Sequence, residues 1–173
     1  MRIVSGRWRG RPLKAPAGEA TRPTSDRARE ALFSMLASRI GSFEGLRVAD
    51  LFAGTGALGL EALSRGAAHC TFVEPDRAAL AALEANVAAL DAAATIVARR
   101  AESYRGGPFD LILLDPPYAS GLGPTALAAI TATPGGWASI ETGRAESVAC
   151  PGWSVEAERI YGKAKITLLR RAE

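Results

Sequence analysis

The run Leu111-Ile112-Leu113-Leu114, closed by Asp115-Pro116-Pro117-Tyr118, restricts the folds open to this chain more than any other stretch. A short block of large aliphatics without polar alternation reads as a strand buried on both faces, the kind found in parallel sheets. Two consecutive prolines donate no backbone hydrogen bond, so the strand must stop and the chain turn outward there. One carboxylate, one proline carbonyl and one aromatic ring are thereby set at the C-terminal edge of a sheet, where open α/β folds bind ligands. Carboxylate and carbonyl are both acceptors. As a pair they suit the two hydrogens of a planar amine, holding it so that the nitrogen lone pair leaves conjugation and faces an electrophile. Tyr118 adds a face on which a nucleobase can stack. Asp115, Pro116, Pro117 and Tyr118 are therefore the candidate catalytic residues; the plainer alternative is a strand-to-loop turn with a surface tyrosine.

The rest of the chain supplies a matching frame. Strands are expected over Leu46–Phe52, Cys70–Glu74, Thr95–Ala98, Asp110–Leu114 and Trp137–Glu141, with helices between them. A first helix follows the capping residues at Thr24-Ser25-Asp26 and buries Ala28, Leu32, Met35 and Leu36, leaving Arg27, Arg29 and Arg39 off that stripe. A second runs through Leu60, Ala62 and Leu63 to Arg65-Gly66. Asp76 caps a third with Leu80, Leu83, Val87 and Leu90 on one face, and Gly121 to Pro124 opens a short fourth. Val155–Tyr161 and Lys165–Leu169 read as a terminal antiparallel pair. Strands alternating with helices and then a hairpin give an α/β fold, a mostly parallel sheet with helices on both faces, in a single domain over residues 1–173.

Gly54, Gly56 and Gly59 satisfy G-x-G-x-x-G between a strand and a helix, and Glu74 stands twenty residues after Gly54 at the end of the next strand. That is the pattern of a nucleotide site, with glycines for close backbone approach and an acid for ribose hydroxyls. Glycines needed only for packing are the alternative. Asp50 decides which ligand: a carboxylate on the strand feeding the loop repels a pyrophosphate but suits the ammonium and sulfonium of S-adenosylmethionine. A dinucleotide enzyme would also build a second mononucleotide half, whereas the terminal strands here read as antiparallel.

Charge is distributed unevenly. Residues 1–29 hold eight of the 21 basic residues and two of the 18 acidic ones, a local balance of +6 that leaves −3 for the remainder of a chain with net charge +3. A basic arm on a slightly acidic body points to a polyanion. Within it, Arg2-Ile3-Val4-Ser5-Gly6-Arg7-Trp8-Arg9-Gly10-Arg11-Pro12 reads as a short hairpin. Arg7, Arg9 and Arg11 suit phosphate by their fork geometry, while Trp8 either stacks on an unpaired base or pins the hairpin to the body. Cys70 and Cys150 are too few and too distant for a disulfide framework or metal cluster, and the lone His69 excludes His-based triads; no metal is expected. No apolar stretch approaches the roughly 20 residues of a membrane span, and the N-terminus is not a secretory signal. A reducing cytoplasm is the expected setting, with a monomer as the default state.

Asp50-Leu51-Phe52-Ala53-Gly54-Thr55-Gly56, then Glu74, then Asp115-Pro116-Pro117-Tyr118, resembles the class I methyltransferases of exocyclic amines. Arg2-Ile3-Val4-Ser5-Gly6 with Trp8-Arg9-Gly10, Thr21-Arg22-Pro23-Thr24 with Asp26-Arg27 and Arg29-Glu30, and Tyr161-Gly162-Lys163 are similar to the bacterial RsmD-type guanine-N2 methyltransferases of 16S ribosomal RNA. The resemblance covers nearly the whole chain. It implies a Rossmann-like class I methyltransferase fold with a seven-stranded sheet, S-adenosylmethionine as cofactor, and ribosomal RNA, within the small subunit, as partner. It further implies that Asp50, Phe52, Gly54 and Gly56 hold the methionine end, Glu74 the ribose, and Arg22 and Pro23 a loop closing over the cofactor. Asp115 and Pro116 would hold the guanine amine while Tyr118 stacks on an extruded base. The sequence departs from that family at Arg100, where a small polar or acidic residue is common, so the adenine contact falls to the Ala101 backbone. Only 25 residues separate Asp115 from Glu141, a shortened stretch on the target side. Adenine N6, a protein glutamine amide, or a non-catalytic RNA-binding role on the same scaffold are the other functions such a chain can serve.

Overall fold

The computed structural model describes residues 1–16 and 25–173. Its parallel strands are β1 (Arg47–Leu51), β2 (His69–Val73), β3 (Ala94–Val97), β4 (Phe109–Leu114) and β5 (Ala132–Gly143), followed by β6 (Trp153–Tyr161) and β7 (Ala164–Arg171). They form one seven-stranded sheet in the order β3-β2-β1-β4-β5-β7-β6, with β7 antiparallel to both β5 and β6. The order reverses between β1 and β4, which opens a crevice at their C-terminal ends.

Period-two alternation explains why the central strands are apolar throughout. Leu111 and Leu113 of β4 point into one core with Val48, Cys70 and Phe72, while Ile112 and Leu114 point into a second with Ala49, Leu51 and Val73. The first core is covered by α1 (Ser25–Ile40), α2 (Ala57–Ser64) and α3 (Arg77–Leu90); the second is covered by α4 (Leu122–Ala129) and the 3-10 turn Ala101–Ser103. Truncating any of these fully buried leucines to alanine costs about 2–5 kcal/mol.

Most boundaries agree with the sequence reading to within a residue or two. β5 differs: it begins at Ala132, five residues ahead of Trp137, and ends at Gly143. The added residues include Pro134-Gly135-Gly136, and Gly135 takes a positive φ of 75° inside the strand, where pairing with β4 shifts register between Phe109 and Leu111. In α1 the buried side chains are Leu32, Phe33, Met35 and Leu36, with Ala28 only half-buried. Arg29, expected off the stripe, is also buried, because it meets the wholly buried carboxylate of Glu61 on α2 at 3.4 Å.

The N-terminal hairpin is present. Ile3 N–H donates to Arg11 O at 3.0 Å and Gly10 N–H to Ile3 O at 2.9 Å, with Arg2 opposite Pro12. Its tip lies on the C-terminal turn of α2: Arg7 N–H donates to Ser64 O at 2.9 Å, and a Cβ on Gly6 would sit 2.0 Å from that carbonyl.

Candidate functional site

β1 delivers the glycine loop to the C-terminal edge of the sheet. Phe52 turns there with a left-handed φ of 62°, a conformation that costs a non-glycine residue of order 1 kcal/mol and clusters at functional sites. The three glycines do different work. A Cβ on Gly59 would lie 2.4 Å from Phe72 Cε1 and one on Gly56 2.5 Å from Leu83 Cδ1, so these two let α2 close onto the sheet and the third helix. Gly54, with φ of 56°, faces open space. Of the three, it alone has no packing neighbour within 4 Å of where a Cβ would stand.

Glu74 closes the far side. Its carboxylate accepts from Gly54 N–H at 2.7 Å and from Asp76 N–H at 2.9 Å, which fixes the loop against the end of β2. A carboxylate has about four lone-pair sites, so two remain for hydroxyl donors. Asp50 points to the α2 side of the sheet, is buried, and accepts from Gly59 N–H at 2.9 Å. Burial pushes its carboxyl well above the usual carboxylate range; the Gly59 hydrogen bond opposes this, and the charges of Asp115 and Glu74 add to the rise. Three carboxylates thus converge on one edge beside a loop, residues 52–59, that contains no cation. The donor set fits a ligand with a cationic centre and vicinal hydroxyls, and disfavours a pyrophosphate. Ala101 is buried at the start of its 3-10 turn beyond β3, while the Arg100 side chain is 78% exposed and pairs with Glu102 at 3.6 Å.

Asp115 to Tyr118 leave the end of β4 as expected. Asp115, Pro117 and Tyr118 are exposed and Pro116 is buried. The turn is held by Ser120, whose hydroxyl donates to Pro117 O at 2.6 Å and accepts from Leu122 N–H at 3.2 Å. The Tyr118 ring borders Gly143 at the end of β5, 3.8 Å from where a Cβ would stand there. A cleft of about 50 Å³ runs between Pro116, Gly123, Ile140 and Val148, room for one or two waters at about 30 Å³ each. An amine brought to Asp115 therefore meets an open rim.

The arm residues lie elsewhere. α2 starts at the C-terminal edge of the strands and ends at Ser64 beside their N-terminal edge, so Arg7 and Trp8, bonded to Ser64, stand across the sheet from Asp115. Trp8 is half-buried against the first core, and the Arg7 guanidinium covers its ring at 4.2 Å. This supports the pinning role for Trp8. Arg11 donates to Ala89 O at 3.1 Å on α3, and Arg9 is exposed. Arg22 and Pro23 lie outside the described residues.

Two residues with no part in the sequence reading join these pieces. Glu61 accepts from Val4 N–H, Ser5 N–H, Arg29 and Arg65 at 2.9–3.4 Å, and the Arg29 guanidinium also donates to Arg2 O and Asp26. Asn86 accepts from Lys14 N–H at 2.8 Å and donates to Lys14 O and Thr55 O at 3.0 Å, tying the end of the arm to the glycine loop. The available signal was a lone Glu within Ala-Leu-Gly-Leu-Glu-Ala-Leu-Ser and a lone Asn on the apolar face of α3.

A family model described as Conserved hypothetical protein 95 matches residues 1–170. The chain is 47% identical over 126 residues to Ribosomal RNA small subunit methyltransferase D of Escherichia coli K12; the match covers 70% of this chain and 62% of that protein, so the chain spans less than two thirds of that relative. It is 33% identical over 175 residues to the Haemophilus influenzae protein of the same name, covering 94% of this chain and 89% of that one. The solved structure of Escherichia coli yhhF has a TM-score of 0.87 at 36% identity, covering 99% of this chain and 98% of that chain.

Proposed function

The chain belongs to the RsmD-type methyltransferase family, and from that membership we propose that it transfers a methyl group from S-adenosylmethionine to the exocyclic N2 amine of a guanine in small-subunit ribosomal RNA. The observation that carries the reading is the convergence of Asp50, Glu74 and Asp115 on the edge that also bears the Pro116–Tyr118 turn. A cation-binding loop and an amine-holding pair are what methylation of a weakly nucleophilic amine requires, and a binding module needs neither.

In this reading S-adenosylmethionine would supply an electrophilic methyl on its sulfonium, the N–C bond to the amine forming as the C–S bond breaks and S-adenosylhomocysteine leaving as the neutral thioether. Asp50 and the Phe52–Gly56 loop hold the cationic end, Glu74 takes the ribose hydroxyls, and the Ala101 backbone meets the adenine. The family resemblance assigns Arg22 and Pro23 to covering the cofactor. Asp115 and the Pro116 carbonyl accept the two amine hydrogens and so fix the direction of the lone pair. Pro117 stiffens that turn, and Tyr118 stacks on the base. Orientation supplies most of the rate. Because Asp115 is exposed, it can pass the proton lost by the amine directly to water.

The test is labelled-methyl transfer to unmodified small ribosomal subunits, with naked rRNA, duplex DNA and protein extract in parallel, followed by nucleoside mass analysis. N2-methylguanosine is the expected product; label in N6-methyladenine or glutamine would replace the substrate assignment. Asp115→Ala should lower turnover by about 100-fold or more with cofactor affinity kept, as loss of alignment at the reacting atom predicts. Unchanged turnover would overturn the role of the acceptor pair.

A further inference from the structure

The expected RNA arm and the acceptor turn lie on opposite edges of the sheet, so the arm alone does not hold the nucleotide chain beside the target. β5 outruns its neighbour: its pairing with β4 ends at Leu114 opposite Ile140, and it continues through Glu141 and Thr142 to Gly143. The three extra residues project about 10 Å beyond the end of β4. The β6–β7 turn is built onto this overhang, with Gly143 opposite Ala164 and Arg144 N–H donating to Lys163 O at 3.0 Å. Arg144 and Lys163 are thus brought side by side next to Gly143, the residue bordered by the Tyr118 ring.

Both side chains are exposed, and neither forms an ion pair with any described residue. Three neighbouring charged side chains already have partners. Lys165 is buried and bonded to the Glu146 carbonyl and to Glu158, and the Glu146 carboxylate accepts from Gly143 N–H at 2.6 Å. Arg159 lies against the Tyr161 hydroxyl at 3.3 Å. We propose that Arg144 and Lys163, carried on the β5 overhang and the β6–β7 turn, bind the RNA phosphates flanking the target nucleotide. This surface positions the RNA and carries no base specificity. The proposal rests on RNA being the methyl acceptor.

The experiment measures binding of the full-length protein to deproteinised small-subunit rRNA across a salt series, alongside methyl-transfer kinetics on the same RNA and calorimetry with S-adenosylmethionine. For the double variant Arg144→Gln/Lys163→Gln, the slope of log affinity against log salt should fall by about 1.5, the value for two phosphate contacts. The KM for RNA should rise about tenfold, with kcat and cofactor affinity unchanged. Lys163→Arg should retain the wild-type slope, since the positive charge is kept. An unchanged slope and KM in the double variant would overturn the proposal, as would a loss of kcat alone. If the double variant loses RNA affinity while the wild type transfers no methyl to small subunits or to their rRNA, the two residues bind RNA phosphate, but the methyl-acceptor assignment falls and with it their placement beside a target nucleotide.

Discussion

Asp50, the residue proposed to hold the cationic end of the cofactor, is a carboxyl buried at a cost to the fold. Its folded-state proton affinity is raised by burial, so the folded protein holds that proton to higher pH than the unfolded chain, whose Asp titrates near about 3.9. Stability from this group is therefore present below that value and is lost as pH rises toward the raised folded pKa. Asp50→Asn, which can still accept from Gly59 N–H, should melt no lower than wild type at neutral pH without ligand, and higher if the charge is a net cost. The same variant should bind S-adenosylmethionine about 10–100-fold more weakly, the usual value of a charged hydrogen bond. Calorimetry across pH should show affinity rising with pH in the wild type and flat in the variant; a flat wild type would remove Asp50 from cofactor binding. Thr167 is a cost without a visible return: its buried hydroxyl has no hydrogen-bond partner among the described residues. Thr167→Val should stabilise the protein by about 1 kcal/mol, raising Tm by about 2–4 °C.

At the scale of elements, Glu61 fastens the arm to the body. Its wholly buried carboxylate satisfies two backbone N–H groups of the arm and faces Arg29 from α1 and Arg65 at the end of its own helix. Removing one partner of a buried pair leaves an uncompensated charge, so Glu61→Ala should cost about 3–5 kcal/mol in urea unfolding. Amide exchange at Val4 and Ser5 should rise toward that of free chain. Slow exchange in the variant would mean that the arm is held by other interactions. The elements were legible in sequence because their signals are local: Leu111–Leu114 ended by two prolines, Asp76 three residues ahead of the Ala79 N–H it caps, and G-x-G-x-x-G between a strand and a helix. β5 was the exception, since Pro134-Gly135-Gly136 carries the local signature of a loop and only its pairing with β4 makes it strand.

For the whole molecule, the two edges of the sheet divide the charge chemistry. Carboxylates gather at the C-terminal ends of β1, β2 and β4, and the arginine hairpin sits across the sheet at the end of α2. Deleting the arm would open the Glu61 cluster, so its part in RNA binding is better tested by Arg7→Gln/Arg9→Gln/Arg11→Gln, which keeps the hairpin backbone. The salt dependence of RNA binding should weaken, by up to about 0.7–0.9 in log–log slope for each phosphate that is no longer neutralised, with cofactor affinity unchanged; an unaltered slope would make the arm a purely structural strap. Residue order alone dictates the alternation of strands and helices, the glycine loop with Glu74, and the acceptor turn at Asp115–Tyr118, because each depends on spacing along a few residues of chain. It took the packed fold to establish that Gly59 serves packing and Gly54 faces outward, that Arg29 is buried on Glu61, and that Asn86 ties the arm to the glycine loop. Packing likewise set Arg144 and Lys163 beside the Tyr118 rim. Those outcomes hang on partners up to 72 residues apart, and an interaction across such a distance leaves no period in the sequence from which it can be read.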